Sequence, residues 1–385
     1  MHGRGGSVVD WLYDLFPKIG DALSGWLAGF LPGWAVYLIM WLVGVVPILI
    51  FVLIMVMVVI MIERRGLATF QIRYGPNRAG PFGMLQPIAD AIKVLTKEDI
   101  VPAQADRWLH WLAPVVTFGV TLLWFAVIPV GKDAILADLN IGILYVVAVA
   151  SLGGMGVVMA GWACHNKYSL IGAMREISQM VSYEVPVVIS ILGVVMITGS
   201  LSMTQIVEAE GVPFILLQPL GFLIYFVAVL AQINRSPLDQ VEAESELVSG
   251  FHTEYSGMKF ALFYLGEYGN AFAASAIVTT LFLGGWKGPI LPPYVWFVIK
   301  ALIVMYVLVW FRATFPRVRI DQITGFAWKF LLPLALFNIL ITAIELAIWS
   351  EFPWWLLFVN IPVAGALIFL WSRLFTLQGG QRVEA

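Results

Sequence analysis

Cysteine is almost absent from this chain: Cys164 is the single one, and the four histidines stand apart at positions 2, 110, 165 and 252. An iron–sulfur cluster takes about four ligands, mostly thiolates, so the chain cannot build one alone, and no disulfide can close within it. The adjacent Cys164 and His165 read as a helix-end pair, not as half of a metal centre. Charge is scarce as well. Asp, Glu, Lys and Arg make up 12% of the 385 residues, against about 25% in soluble domains. A Gly-x-x-x-x-Gly-Lys loop is missing, and no strand–turn–helix unit is there to hold a dinucleotide. A four-fold filter signature of a channel is also lacking.

What fills the chain is apolar surface, 61% of all residues, with a mean hydropathy of +0.90. The apolar runs are too long for barrel strands, so the fold class is all-α and polytopic in a membrane. Nine spans are expected near 36–62, 107–130, 140–163, 183–200, 214–233, 262–284, 294–311, 330–349 and 353–371. Eight result if the hairpin Ser350–Pro353 does not separate the last two. With the N-terminus outside, 17 of the 22 Lys and Arg residues fall in the cytoplasmic segments 63–107, 164–182, 234–261, 312–329 and the tail 372–385, the first of them forming the loop 63–106 ahead of the second span. Residues 36–371 then form one integral domain, preceded by residues 1–35. In that first segment Trp11, Leu12, Leu15, Phe16, Ile19, Leu23 and Trp26 recur at helical spacing, as in an interfacial amphipathic helix, and no basic stretch precedes an apolar core as in a signal peptide. In the third span Gly153, Gly156, Ala160 and Ala163 form a seam for close helix packing.

Three polar segments interrupt the apolar pattern. The first runs from Glu63 to Glu98, with a rigid turn at Gly75–Pro81 and helical periodicity from Leu85 to Lys97. It suits a docking platform or pocket wall better than a plain connection. The second, 235–261, holds Asp239, Glu242, Glu244, Glu246 and Glu254 against two bases. On a helix Glu242 and Glu246 would share a face. Crowded carboxylates near low dielectric exchange protons near neutral pH, while a hydrated face for a basic partner is the competing reading. The third, Phe311–Gln322, carries Arg312, Arg317 and Arg319, opposite in charge to the acidic segment and on the same side. Within the spans, Glu184, Glu267, Lys300 and Glu345 require partners or water. Glu184 and Glu267 are expected near the cytoplasmic helix entries, and Lys300 deeper. Glu345 is expected to snorkel at the outer surface and Asn338 to act as packing glue.

Taken together, Glu63-Arg64-Arg65, Gln71–Gly80, Leu85–Lys93 with Lys97-Glu98, Ser182–Val185, Glu242–Val248, Glu254–Phe260 and Arg317–Gln322 closely resemble the membrane H-subunit family of bacterial respiratory NADH–quinone oxidoreductase, complex I, over roughly 36–349. The resemblance implies one wall of a quinone chamber where a peripheral arm meets the bilayer. Quinone is then the substrate, and this chain binds no cofactor itself; FMN and iron–sulfur clusters lie in partner subunits. The implied partners are the peripheral quinone-site and cluster subunits, the small membrane subunits, the antiporter-like subunits and lipid, with no nucleic acid, in a bacterial inner membrane. The positions matching chamber residues are Glu63, Arg64, Arg73, Asp90, Lys93, Arg235, Asp239 and Arg317. Those matching the proton-coupling path are Glu184, Glu242, Glu244, Glu246, Glu254 and Glu267.

Gln232 stands where the family often has Glu, Leu238 replaces a Phe, and Gln240 stands at a commonly apolar position. Gln232 cannot titrate, and Glu176 is a candidate to compensate. Equivalent modules occur in ferredoxin-dependent quinone oxidoreductases and in membrane-bound hydrogenases, though the long loops disfavour the latter. A stand-alone ion transporter is the alternative of a different class, and it leaves the Glu63–Glu98 platform without a purpose.

Overall fold

The computed structural model describes residues 20–131, 134–289, 291–349 and 353–374, with the side chains of Glu244, Ser245 and Leu374 excepted. Every described element is a helix, a turn or a loop. The long ones are α1 (Gly33–Phe70), α3 (Arg107–Val127), α4 (Gly142–Ala163), α5 (Lys167–Thr198), α7 (Pro219–Gln232), α8 (Gly257–Phe282), α9 (Pro293–Thr314), α10 (Ile320–Ile348) and α11 (Trp354–Arg373). Short helices α2 (Gln86–Leu95) and α6 (Met203–Ala209) lie between them. Among the described residues seven of the long helices are apolar enough to span a bilayer. The other two are α7, with only 14 residues, and α8, whose middle carries Glu267, Tyr268 and Asn270. Each expected span therefore falls on a helix, and the chain is a polytopic membrane protein. Residues 20–28 are helical, while the rest of the expected amphipathic segment, residues 350–352 and the tail from 375 lie outside the described residues.

The helix ends follow local chemistry. Asp106 caps α3 by accepting from the Trp108 and Leu109 amides at 3.2 and 3.4 Å, and Asn166 caps α5 from Tyr168 N at 2.9 Å. Gly199, at φ 66°, closes α5 with its N–H on Val195 O. One correction follows from α5. The hydropathy pattern begins this span at 183, but the helix starts at Lys167 and runs for 32 residues. About 20 residues suffice to cross the hydrocarbon, so the polar stretch up to Ser182 continues the helix and only Cys164, His165 and Asn166 separate α4 from α5. Glu184 consequently sits in mid-helix, as Glu267 does in α8, and neither lies at a helix entry.

Packing is densest around α8, which touches α1, α3 and α9, and around α5, which touches α4, α7 and α10. The small-residue seam is used as its spacing implies. A methyl group on Gly156 would lie 3.2 Å from Thr117 N and 3.4 Å from Ala113 O, so α3 and α4 meet backbone to backbone. Gly266 of α8 meets the same threonine from the other side. Trp34, Tyr37 and Trp41 point away from the bundle on α1, at 72%, 81% and 76% exposure. Such a face suits an apolar solvent with interfacial aromatics.

Backbone links place the loops at two ends. At one end, Asp106 N donates to Ala163 O, Ile100 N to Ser256 Oγ, and Val318 N to Pro237 O. This gathers 71–106, 164–166, 233–256 and 315–319. At the other end, Ile143 N donates to Leu201 O, and Lys287 Nζ donates to Glu208 O and Glu210 O. Lys300 joins this second group: its Nζ donates to Leu283 O, Gly285 O and Lys287 O. The ammonium thereby satisfies carbonyls left open past the end of α8.

Candidate functional site

The charged residues converge at the first end, beneath the loop that follows α7. Glu63, near the end of α1, and Arg235, just after α7, are each 3% exposed. Arg235 Nη1 donates to both carboxylate oxygens of Glu63, at 3.0 and 2.8 Å. Arg312 of α9 donates to Glu63 Oε1 as well. Glu267 of α8 lies 3.4 Å from Arg235 Nε, and Tyr268 presents its ring 4.4 Å below the same guanidinium. Four elements thus supply one buried cluster of alternating charge. A charge removed from water survives only with partners of this kind. Burial alone would lower the Arg235 guanidinium; Glu63 and Glu267, with Tyr268 and Glu242 beyond, raise it overall.

The loop after α7 is pinned before it can present its acids. Gln179 of α5 donates to Ala231 O and Leu238 O at 2.7 and 2.8 Å. Asn234, at φ 52°, donates to Glu176 Oε2 at 2.7 Å. Asp239 pairs with Arg317 at 2.8 Å, and Gln240 donates to Val318 O beside it. The expected pairing of the acidic and basic segments is therefore realised through Asp239–Arg317, while Arg312 pairs with Glu63 of the first polar segment. Arg319 instead stays at the surface near Asp321. Gln240, a departure from the family pattern, works here as a tie to the Val318 backbone.

Beyond the loop lies a cavity of about 70 Å³, lined by Thr117, Glu176, Gln232, Glu242, Glu267 and Asn270 among others. A second, of about 20 Å³, is lined by Gln232 and Glu184. Gln232 belongs to both linings. Gln232 thus stands between the first cavity, with Glu242, Glu267 and Glu176, and the second, with Glu184. Burial pushes the Glu242 carboxyl well above the usual range, and repulsion from Glu267 and Asp239 adds to it. His252, 3.6 Å from Glu242, is driven by burial down to about 4. Both shifts favour the uncharged forms, a neutral imidazole beside a carboxylic acid.

The remaining expected residues scatter around this centre. Glu242 and Glu246 share no helix face, which corrects the expectation from their spacing. The short helix holding Glu246 is Glu244–Leu247, which leaves Glu242 outside it, and Val248, at φ 66°, turns the chain away. Glu246 pairs with Arg175 at 2.6 Å, and Glu254 accepts from Asn166 at 2.7 Å. The Glu244 side chain lies outside the described residues. Glu184 accepts from Ser151. On the platform Arg64 pairs with Asp90, which also accepts from Gln86 at 3.0 Å. Arg73 donates to Gln71 at 2.6 Å, and Lys93 is exposed on α2, which ends at Leu95, short of Lys97. No cluster of three metal-ligating side chains forms among the described residues. Cys164 is buried and its thiol pushed up to about 12 by burial, as an inert packing cysteine would be.

Sequence reasoning did not single out Arg312, Tyr268 or His252 as site residues. Arg312 carried a signal, being a guanidinium in the last turn of an apolar helix; Tyr268 and His252 had none in sequence.

Fold and site together define a membrane-embedded helical protein whose buried ion cluster opens onto a row of carboxyl groups. A family profile described as NADH dehydrogenase matches residues 43–343. The chain is 59% identical over 323 residues to the H subunit of NADH-quinone oxidoreductase from Dehalococcoides mccartyi (strain CBDB1), covering 84% of this chain and 92% of that one. It is 47% identical over 348 residues to the H subunit from Carboxydothermus hydrogenoformans, covering 89% and 99%. Over 320 residues it is 48% identical to that of Geobacillus thermodenitrificans, covering 81% and 96%. The chain belongs to the family of NADH-quinone oxidoreductase H subunits. It is a membrane component of complex I, an oxidoreductase assembly, and so works among other subunits.

Proposed function

We propose that this chain forms the membrane wall of the quinone chamber and couples quinone reduction to proton translocation. The observation that carries the reading is the buried Glu63–Arg235–Arg312–Glu267 cluster, continuous with the cavity bounded by Glu242, Glu176 and Gln232. Reduction of a quinone takes two electrons and two protons to give the quinol. Negative charge grows on the quinone oxygens before the protons arrive, and in a poorly hydrated chamber it attracts guanidinium groups and protonated carboxyls. Arg235 and Arg312 are held against Glu63, so a new anion nearby competes for them. Loosening that pairing changes the proton affinity of Glu267 and Glu242, which share the cluster's field. A proton taken up or released there passes along the row toward Glu184 through Gln232 and water.

In this reading the platform residues Arg64, Asp90, Arg73 and Lys93, with Arg317 and Asp239, shape the mouth of the chamber. They face the peripheral quinone-site and iron–sulfur subunits. Glu246 and Glu254 brace the acidic loop against α5 and its cap residue Asn166. FMN and iron–sulfur clusters reside in those partner subunits, and the electrons come from them. Small and antiporter-like membrane subunits receive the coupling at the far side. The loops at the Glu63 end are cytoplasmic, the N-terminus lies outside, and the membrane is a bacterial inner membrane. The excess of Lys and Arg at that end supports this orientation.

The test is purification of the native complex through this chain, with identification of its companions and assay of NADH-dependent quinone reduction. Flavin and cluster subunits with inhibitor-sensitive activity are the expected result. A cluster-bearing arm without NADH activity points to ferredoxin or another donor and leaves the quinone module standing. Isolation of the chain as a lone carrier contradicts the proposal.

A further inference from the structure

A second buried polar group lies between α5, α7, α10 and α11, and shares no lining residue with the cavities bounded by the Glu63 cluster's carboxyls. Gln218, Asn338, Thr342, Glu345 and Asn360 line a cavity of about 20 Å³, and each is less than 10% exposed. Its position corrects the expectation that Glu345 snorkels to the surface. The residue is 7% exposed, because Asn360 of α11 closes over it, with Nδ2 3.4 Å from Glu345 Oε2. Glu345 is the only ionisable group lining the cavity, and no basic side chain pairs with it among the described residues.

The hydrogen-bond count is uneven in an informative way. Gln218 Nε2 donates to Thr342 Oγ1 at 2.9 Å, Thr342 Oγ1 donates to Asn338 O at 2.9 Å, and Asn360 Nδ2 donates to Leu217 O at 2.7 Å. That leaves Gln218 Oε1, Asn360 Oδ1 and Asn338 Nδ2 buried without a partner. Two are acceptors and one is a donor. A buried unpaired polar atom costs about 1–3 kcal/mol, and three around one void are not left so by chance. Glycines keep the space open: a methyl on Gly193 would lie 2.8 Å from Gln218 Oε1, and one on Gly221 3.1 Å from Asn338 Nδ2. The void exceeds the roughly 10–15 Å³ a water needs on this measure, and buried waters make about three hydrogen bonds.

We propose that this cavity is a built binding site for one water molecule, and that the bound water makes Glu345 an exchangeable proton store separate from the Glu63 cluster. The water donates to Gln218 Oε1 and Asn360 Oδ1 and accepts from Asn338 Nδ2. Through Asn360, which touches both the water and Glu345, it also fixes α11 to the bundle. With no cation to face, Glu345 carries its proton, and the neighbouring water gives that proton a partner for exchange.

Infrared spectra of the purified complex in H2O and D2O, taken on the wild type, Glu345→Gln and Asn360→Leu, test this together with a cryo-EM map of the wild-type complex fine enough to show waters. The expected result is a protonated-carboxyl C=O band, among those of the complex, that shifts in D2O, disappears in Glu345→Gln and moves to higher frequency in Asn360→Leu. A density peak within hydrogen-bond reach of the three orphaned atoms should accompany it. An empty cavity, or Gln218 and Asn338 bonded directly to each other, overturns the proposal. Carboxylate bands in place of the C=O band, with sodium-dependent thermal stability, also overturn it and identify a cation in place of water. If Glu345→Gln fails to assemble, the wild-type map and the Asn360→Leu band still decide.

Discussion

Replacing Arg235 by Met tests whether the Glu63 cluster is held by charge or by shape. Methionine fills much of the aliphatic volume, so packing on Tyr268 is largely kept while the guanidinium is lost. Glu63, 3% exposed, then keeps only Arg312 and the more distant Tyr268 hydroxyl at 3.5 Å. Breaking a buried ion pair from one side costs about 3–5 kcal/mol. The remaining contact with Arg312, whose side chain is 36% exposed, places the cost toward the lower end. Loss of the cation–π contact at 4.4 Å adds about 1 kcal/mol. A total of about 4 kcal/mol corresponds to roughly a thousandfold change in an equilibrium. Arg235→Lys keeps the charge but cannot span Glu63 and Glu267 together, and should recover about half of the loss. The assay is the thermal inactivation profile of the purified complex, alongside quinone reductase activity. Assembly of Arg235→Met with an unchanged profile, or identical profiles for Met and Lys, refutes the reasoning.

Glu242→Gln should stabilise the complex above pH 5 and weaken proton translocation. The raised carboxyl binds a proton in the native state that the unfolded chain releases near its ordinary value, so stability is present at low pH and lost as pH rises through that window. Thermal scans against pH check the first half and vesicle acidification the second. His252 has the opposite sign. Its native value of about 4 lies below the ordinary value of 6.5, so stability is full above 6.5 and lost as pH falls toward 4, by at most about 3 kcal/mol. His252→Gln should flatten that acid limb, measured in the same scans. Glu176→Gln should impair proton pumping more than electron transfer, and an unchanged number of protons pumped per electron rules out its compensating for Gln232. Gly250→Ala should lower quinone reductase activity, because at φ 59° an added methyl collides with the Val241 carbonyl beside Glu242; wild-type activity contradicts this.

Much of the fold was legible because a bilayer imposes one rule on every span. Apolar length located α1, α3, α4 and α8 to α11, and the Gly156 seam marked where two of them touch. The start of α5 was hidden because a helix emerging from the membrane becomes polar, and Lys167–Ser182 looks like a loop by hydropathy. Glu63, Arg235, Glu267, Asp239 and Arg317 were singled out through their cost or their resemblance. Their pairing was not legible, since Glu63 and Arg235 are brought together only by tertiary packing. The acidic segment misled for a related reason. Helical periodicity put Glu242 and Glu246 on one face, whereas Val248 and Gly250 turn the chain and send Glu246 to Arg175. Glu345 escaped because α11, whose Asn360 buries it, arrives later in the chain.

The most direct measurement is photolabelling of the native complex with a reactive quinone analogue, followed by mapping of the labelled peptides. If this chain walls the chamber, label should appear within 63–98 and 235–242, compete with natural quinone, and fall in Arg235→Lys. Specific label confined to other subunits, with none on this chain, would contradict the chamber assignment.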